Sequence, residues 1–210
     1  MKQTILILMV LLLGMGCSKQ VKKTQQATKE ETPIQVEPPA KPQSSLEIKR
    51  ERIRQVMIGN DTPYGNITAE NGLSISTEVF QGKFLIIDFW ATWCGPCLQG
   101  APKFKEIGDK YRSDKVAFIS VSIDRDRADW QSFLVRQGWS SDTQFWMGMD
   151  KKNPLFSYLY KEVNDDGTPL VIIGVPKYVI ISPQGKILDN EAEFPTNPAF
   201  EAHIKRLIEK

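Results

Sequence analysis

Phe84-Leu85-Ile86-Ile87-Asp88-Phe89-Trp90-Ala91-Thr92-Trp93-Cys94-Gly95-Pro96-Cys97 is the stretch on which the reading of this 210-residue chain turns. Phe84 to Trp90 is an apolar run broken only by Asp88, the pattern of a strand buried on both faces. It feeds directly into Cys94 and a predicted helix running to about Tyr111. Two thiols, two residues apart, therefore sit where a strand becomes a helix. At a helix N-terminus, free backbone N–H groups and the positive end of the macrodipole favour thiolate over thiol, which makes Cys94 the predicted nucleophile. The spacing lets the second sulfur fold back within bonding range, so Cys97 can attack a mixed disulfide between Cys94 and a substrate. Pro96 suits a first turn, where its missing N–H costs nothing. Gly95 leaves the approach to Cys94 open.

The rest of the composition narrows the use of that pair. The chain has three cysteines, and the third is Cys17. A zinc ribbon needs a second pair of ligands, and a c-type haem site needs a histidine after the second cysteine, where Leu98 stands. A purely structural disulfide would close too short a loop to gain much entropy. With His203 as the sole histidine, Ser-His and Cys-His catalytic pairs lack material, and His203 itself reads as a helix-surface residue. No metal site and no external cofactor are expected; the Cys94–Cys97 pair is the redox group. The net charge of +2, or +1 without Lys2, provides no basic field for nucleic acid.

Outward toward the N-terminus, Lys2, the apolar run Ile5 to Leu13 and Gly14-Met15-Gly16-Cys17 form a signal-peptide pattern, too short to span a bilayer. Small residues before Cys17 resemble the lipobox of bacterial lipoproteins, although Gly14 stands where leucine is commonest; ordinary secretion is the alternative. The expected organisation is a cleaved lipoprotein-type signal at 1–16, a tether at 17–45 rich in Lys, Gln, Thr, Glu and Pro with few core-forming residues, and a folded domain at 46–210. Leu46 to Met57 reads as a short helix with Ser45 as its cap and a basic, solvated face.

Outward toward the C-terminus the elements alternate. Val116 to Ile123 is a second buried strand and Asp126 to Gln137 a helix with Trp130, Phe133 and Leu134 on one face. Thr143 to Met149 is ambiguous, Pro154 to Lys161 a short helix, and Asn164-Asp165-Asp166-Gly167 a turn. Lys177 to Ile181 and Lys186 to Leu188 flank Ser182-Pro183-Gln184-Gly185 as a hairpin, and Asn197-Pro198 opens a final helix with Phe200, Ile204, Leu207 and Ile208 inward. The pattern is α/β with a mixed sheet.

The Phe84–Cys97 stretch resembles the active-site strand and helix of the thioredoxin family, and with the N-terminal signal the chain is similar to the TlpA/ResA-like branch of envelope thiol-disulfide oxidoreductases. The resemblance covers roughly Gly59 to Lys210. It implies a thioredoxin fold with a central mixed sheet flanked by helices and an insertion before the terminal hairpin. Asp88 stands at the position of thioredoxin's buried carboxylate; in an apolar strand it should have a raised pKa and relay the proton of Cys97, the alternative being a solvated residue at a sheet edge. Many similar proteins have Asn at that position and an acidic residue at the place of Gly100, so client choice does not transfer. Pro102 matches the kinking proline of the family's helix. Val175-Pro176 resembles its cis-proline, whose preceding backbone faces an extended substrate, and Trp93 would cover the other side of the site. The expected activity is reduction of disulfides in exported proteins, fed by an upstream electron donor, on a lipid-anchored protein facing the periplasm or another extracytoplasmic space. Net oxidation or isomerisation, and a binding module without redox turnover, are the rival readings.

Overall fold

The computed structural model describes residues 44–165 and 168–209. The signal segment, Cys17 and most of the tether expected from the sequence lie outside them. A helix α1 (Ser45–Gln55) comes first. Its cap is Ser44, one residue earlier than read from the sequence: Ser44 Oγ accepts from Glu47 N at 3.2 Å and Glu47 Oε2 from Ser44 N at 2.9 Å, a reciprocal capping box. Its basic residues are only partly solvated. Arg50 pairs with Glu162, and the Arg52 guanidinium donates to the Lys151 carbonyl at 2.6 Å.

Two short strands follow, β1 (Asn66–Ala69) and β2 (Ser74–Ser76), then the central strand β3 (Phe84–Trp90) and helix α2 (Gly95–Tyr111). Next come β4 (Val116–Ser122), α3 (Arg127–Gln137) and β5 (Gln144–Trp146). A 3-10 helix, Pro154–Leu159, leads into a separate hairpin of β6 (Tyr160–Asp165) and β7 (Thr168–Ile173). The turn expected at 164–167 falls between these strands, with 166 and 167 outside the described residues. The chain closes with β8 (Lys177–Ile181), β9 (Ile187–Asp189) and α4 (Pro198–Ile208), capped by Asn197.

The main sheet runs in the order β2-β1-β5-β4-β3-β8-β9. β4 lies parallel to β3 and to β5, and the other pairings are antiparallel, so the sheet is mixed. On one face α2 and α4 set Phe104, Ile107, Phe200 and Ile204 against Ile86, Phe118, Tyr178 and Ile180. On the other, Trp130 and Leu134 of α3 and Phe156 and Tyr158 of the 3-10 helix cover Ile87, Phe89, Ile119 and Val179. With helices on both faces, the mostly apolar character of β3 and β4 follows: neither strand has a solvent side. This is a thioredoxin fold, and the β5–β7 region forms the insertion before the terminal hairpin. No helix among the described residues is long and apolar enough to cross a membrane.

Phe104 anchors the redox helix to the sheet, its ring 5.6 Å from Phe118, 5.8 Å from Tyr178 and 6.2 Å from Phe200. Removing so central a ring leaves a cavity as well as lost contact area. Phe104→Ala is expected to destabilise the domain by about 3–5 kcal/mol, read as a lower denaturant midpoint at unchanged slope.

Candidate active site

The site forms where three strands end together. β3 stops at Trp90; parallel β4 stops level with it, Ser122 opposite Trp90. Antiparallel β8 starts there, Lys177 opposite Phe89. The segments Ala91–Cys94, Ile123–Asp126 and Val175–Pro176 therefore emerge at one edge of the sheet. Cys94 is the N-cap residue of α2, and the Cys97 backbone N–H donates to Cys94 Sγ at 3.2 Å. An amide aimed at the sulfur stabilises negative charge there, in addition to the helix dipole. Cys94 and Cys97 are joined as a disulfide, their Cα atoms 5.2 Å apart. Cys97 is wholly buried and Cys94 5% exposed, whereas Trp93 is 65% exposed. Gly95 and Pro96 are exposed, and nothing stands within 4 Å of a Cβ placed on Gly95. Of the two cysteines, only Cys94 has any exposed surface.

The peptide bond Val175–Pro176 is cis. With Tyr158, Lys161, Lys177 and Glu191 these residues line a cleft of about 340 Å³. Trp93 and Thr92 line another of about 520 Å³ with Asp124, Arg125, Met149 and Ile173.

Asp88 is 1% exposed, on the α2 side of the sheet, with Ser120 and Tyr178 beside it in register. It is no edge residue. Burial pushes its carboxyl up to about 8, partly offset by the Ser120 hydroxyl. Its Oδ1 has no hydrogen-bond partner.

Asp124 was not singled out from the sequence, yet it holds the loop that carries Cys94. Its carboxylate accepts from Thr92 N at 3.1 Å, Thr92 Oγ1 at 2.8 Å and Ser122 Oγ at 2.7 Å, and its carbonyl accepts from Trp146 Nε1 at 2.7 Å. The available signal was a polar Ser122-x-Asp124 at the carboxyl end of an apolar strand, where α/β sheets place functional groups. His203 lies on α4 with Nδ1 3.4 Å from Asp189, far along the sequence from the cysteines. Among the described residues no group of three or more His, Cys, Asp or Glu side chains is arranged to hold a metal ion.

A strand that ends in a cysteine-capped helix, a disulfide in the first turn and a cis-proline at the same sheet edge define a thioredoxin-fold protein with a redox dithiol site. The chain belongs to the Redoxin family, whose model matches residues 57–205. It is similar to the thiol-disulfide oxidoreductase ResA of Bacillus thuringiensis, with 24% identity over 150 residues, covering 71% of this chain and 78% of that protein. A thioredoxin of Malassezia sympodialis is 52% identical over 54 residues, covering 26% of this chain and 51% of its own. Among solved structures, a thiol-disulfide oxidoreductase from Bacteroides fragilis matches with TM-score 0.55 and 25% identity over 70% of this chain and 99% of its own. A thiol:disulfide interchange protein from Bacteroides sp. matches with TM-score 0.59 and 22% identity over 74% and 93%. The chain is accordingly a thiol-disulfide oxidoreductase of the Redoxin family, similar to the ResA proteins.

The buried carboxyl has a consequence for stability. Its folded-state pKa near 8 lies above the unfolded value near 4, so the folded state binds the extra proton between those limits. Stability is highest from this group below about pH 4 and declines as pH rises toward 8. Asp88→Asn is expected to stabilise the oxidised domain by about 2–4 kcal/mol at pH 7 and little at pH 4. Thermal unfolding across that range measures it, and a stabilisation independent of pH would contradict the assignment.

Proposed function

We propose that this oxidoreductase works as a reductant of disulfides in exported proteins. In the reduced enzyme the Cys94 thiolate attacks one sulfur of a client disulfide and expels the other as a thiolate. Cys97 then gives its proton to Asp88 and attacks Cys94 Sγ, expelling the second client sulfur and closing the Cys94–Cys97 disulfide. Two electrons pass to the client, and an upstream donor restores the dithiol. The observation that carries this reading is the pairing of the two sulfurs in the first turn of α2, with the Cys97 amide on Cys94 Sγ at 3.2 Å.

Trp93 and Val175-Pro176 flank the client on its two sides, and the exposed Gly95 and Pro96 let an extended segment approach the sulfur. Gly-Pro between the cysteines favours the reducing direction, because a histidine in that pair would stabilise the thiolate and with it the reduced form. Gly14-Met15-Gly16-Cys17 supports lipidation at Cys17 after removal of 1–16. With Ser44 capping α1, the tether from Ser18 to Gln43, 26 residues, would reach at most roughly 80 Å from a membrane surface. Anchorage of this kind suits a bacterial envelope location facing the periplasm or another extracytoplasmic space.

The test is turnover of a model protein disulfide by the full chain with a thiol donor. Cys94→Ser should fall to the uncatalysed rate, and Cys97→Ser should accumulate mixed disulfides with clients in the native cell. Activity of Cys94→Ser equal to the parent would sink the mechanism. A reduction potential near about −270 mV fits the reducing direction, whereas one near about −120 mV would assign the protein to oxidation.

A further inference from the structure

The insertion ahead of the cis-proline ends in the ribbon of β6 and β7, and the fold treats the two faces of that ribbon differently. Across it Tyr160 stands opposite Ile173, Lys161 opposite Ile172, Glu162 opposite Val171 and Val163 opposite Leu170. Side chains alternate along each strand, so Tyr160, Glu162, Val171 and Ile173 share one face and Lys161, Val163, Leu170 and Ile172 the other. The first face is held down. Tyr160 and Val171 are buried, Ile173 packs on the same core, and Glu162 pairs with Arg50 of α1. On the second face Leu170 and Ile172 are 47% and 39% exposed. Among the described residues β6 and β7 pair only with each other, so no third strand extends the ribbon. Isolated apolar side chains at a surface need no explanation, but here three come from adjacent rungs of one face. Lys161, the charged residue of those two rungs, stands at the end nearer the redox site, and the outer rung, Val163 with Leu170, is wholly apolar.

The ribbon also runs directly into the redox site. Lys161 lines the cleft of Val175 and Pro176, and Ile173 lines the cleft of Trp93. The Gly174 N–H donates to the Leu159 carbonyl at 3.0 Å, which ties the base of the ribbon immediately before Val175. From Val175 back to Leu170 the chain spans at most about 17 Å, at roughly 3.3 Å per residue. We propose that the outward face of the ribbon, formed by Val163, Leu170 and Ile172, is a docking ledge for apolar residues that flank the client's cysteine. The proposal rests on the reading of Cys94 as the nucleophile toward a client disulfide. Continuity with the site selects the occupant: a segment bonded to Cys94 lies against Val175-Pro176, and the next surface beyond them is the ribbon. Such a client must present apolar residues in an extended segment, which a folded protein buries in its core. The substrate class is therefore a protein that has not completed folding.

The test uses the full-length chain, reduced beforehand, in single turnover with two extended peptides whose one cysteine carries a nitrothiobenzoate leaving group. Leucine and valine flank the cysteine in one peptide and serine in the other. Dithiobis(nitrobenzoic acid), too small to reach the ribbon, is the third substrate. The variant is Leu170→Thr with Ile172→Thr, since threonine suits a strand. The parent should react about tenfold faster with the apolar peptide than with the seryl one. The double variant should lose that preference and attack the other two substrates at the parental rate, and Val163→Thr, on the other strand, should lose part of it. Equal parental rates on the two peptides, or a preference that survives in the double variant, overturns the ledge. So does a uniform slowing on all three substrates, which would trace to displacement of Val175-Pro176. A parental dimer that the double variant converts to monomer, with the peptide preference intact, would give the face to a second copy of the chain. A reduced parent that releases thiobenzoate from none of the three overturns the nucleophile reading, and the ledge with it.

Discussion

Every α-helix starts with backbone N–H groups that no earlier turn can satisfy, and in this protein the side chain that meets one of them at the start of α2 is the Cys94 sulfur. Folding and chemistry use the same contact. A serine or aspartate cap would serve the helix as well, but would have no sulfur to exchange. The requirement then extends to the rest of the molecule. The cap must be held at the end of β3, so the strand must be central and anchored on both faces; the helix must keep its register, which Phe104 and Ile107 enforce by packing on the sheet. The loop between strand and helix, only Ala91 to Trp93, must not fray, and the Asp124 carboxylate closes it through the amide and hydroxyl of Thr92.

Asp88 pulls in the other direction. A carboxyl enclosed under the helix, with its pKa near 8, lowers stability across the neutral range, and the same enclosure makes it a stronger base than a solvated aspartate, which suits the proton-acceptor role proposed for it. A solvated aspartate with pKa near 4 would be too weak an acceptor. The fold therefore tolerates a local penalty in β3, and the continuous apolar strands around it supply the burial that keeps the penalty affordable.

Much of this was legible because it is local. The apolar run of β3, the cysteine spacing, Pro96 and the Asn197-Pro198 cap each express their structural role within a few residues, and the helices and central strands fall close to where the pattern puts them. What was not legible depends on distant partners. β1 and β2 are short and rich in Asn, Ser and Thr, and are stabilised as strands by pairing with each other and with β5; their one local mark is the Asn71-Gly72 turn, with Gly72 at φ +92°. The segment Pro154 to Lys161 divides into a 3-10 helix and the start of β6 because Tyr160 and Lys161 find partners in Ile173 and Ile172. At the site, the cysteines, Asp88 and Pro176 were visible through their motif. Asp124 and Tyr178 were not, since their positions relative to the motif are set by strand register.

That division of labour also separates the chemistry from its direction toward a particular client. The sulfurs, their cap and the buried carboxyl lie on β3 and α2. The clefts on either side are built instead from the segments after β4 and β5, the start of β6, the end of β7 and the approach to β8, including Met149, Lys161 and Ile173. Gly100 lies at the meeting of the two sets. A Cβ at that point of the helix would collide with the Tyr178 hydroxyl and the Phe194 ring. The absence of a side chain at Gly100 and the aromatic rings on the facing side are matched: without a Cβ there, Tyr178 and Phe194 can pack up to the helix one turn after Cys97.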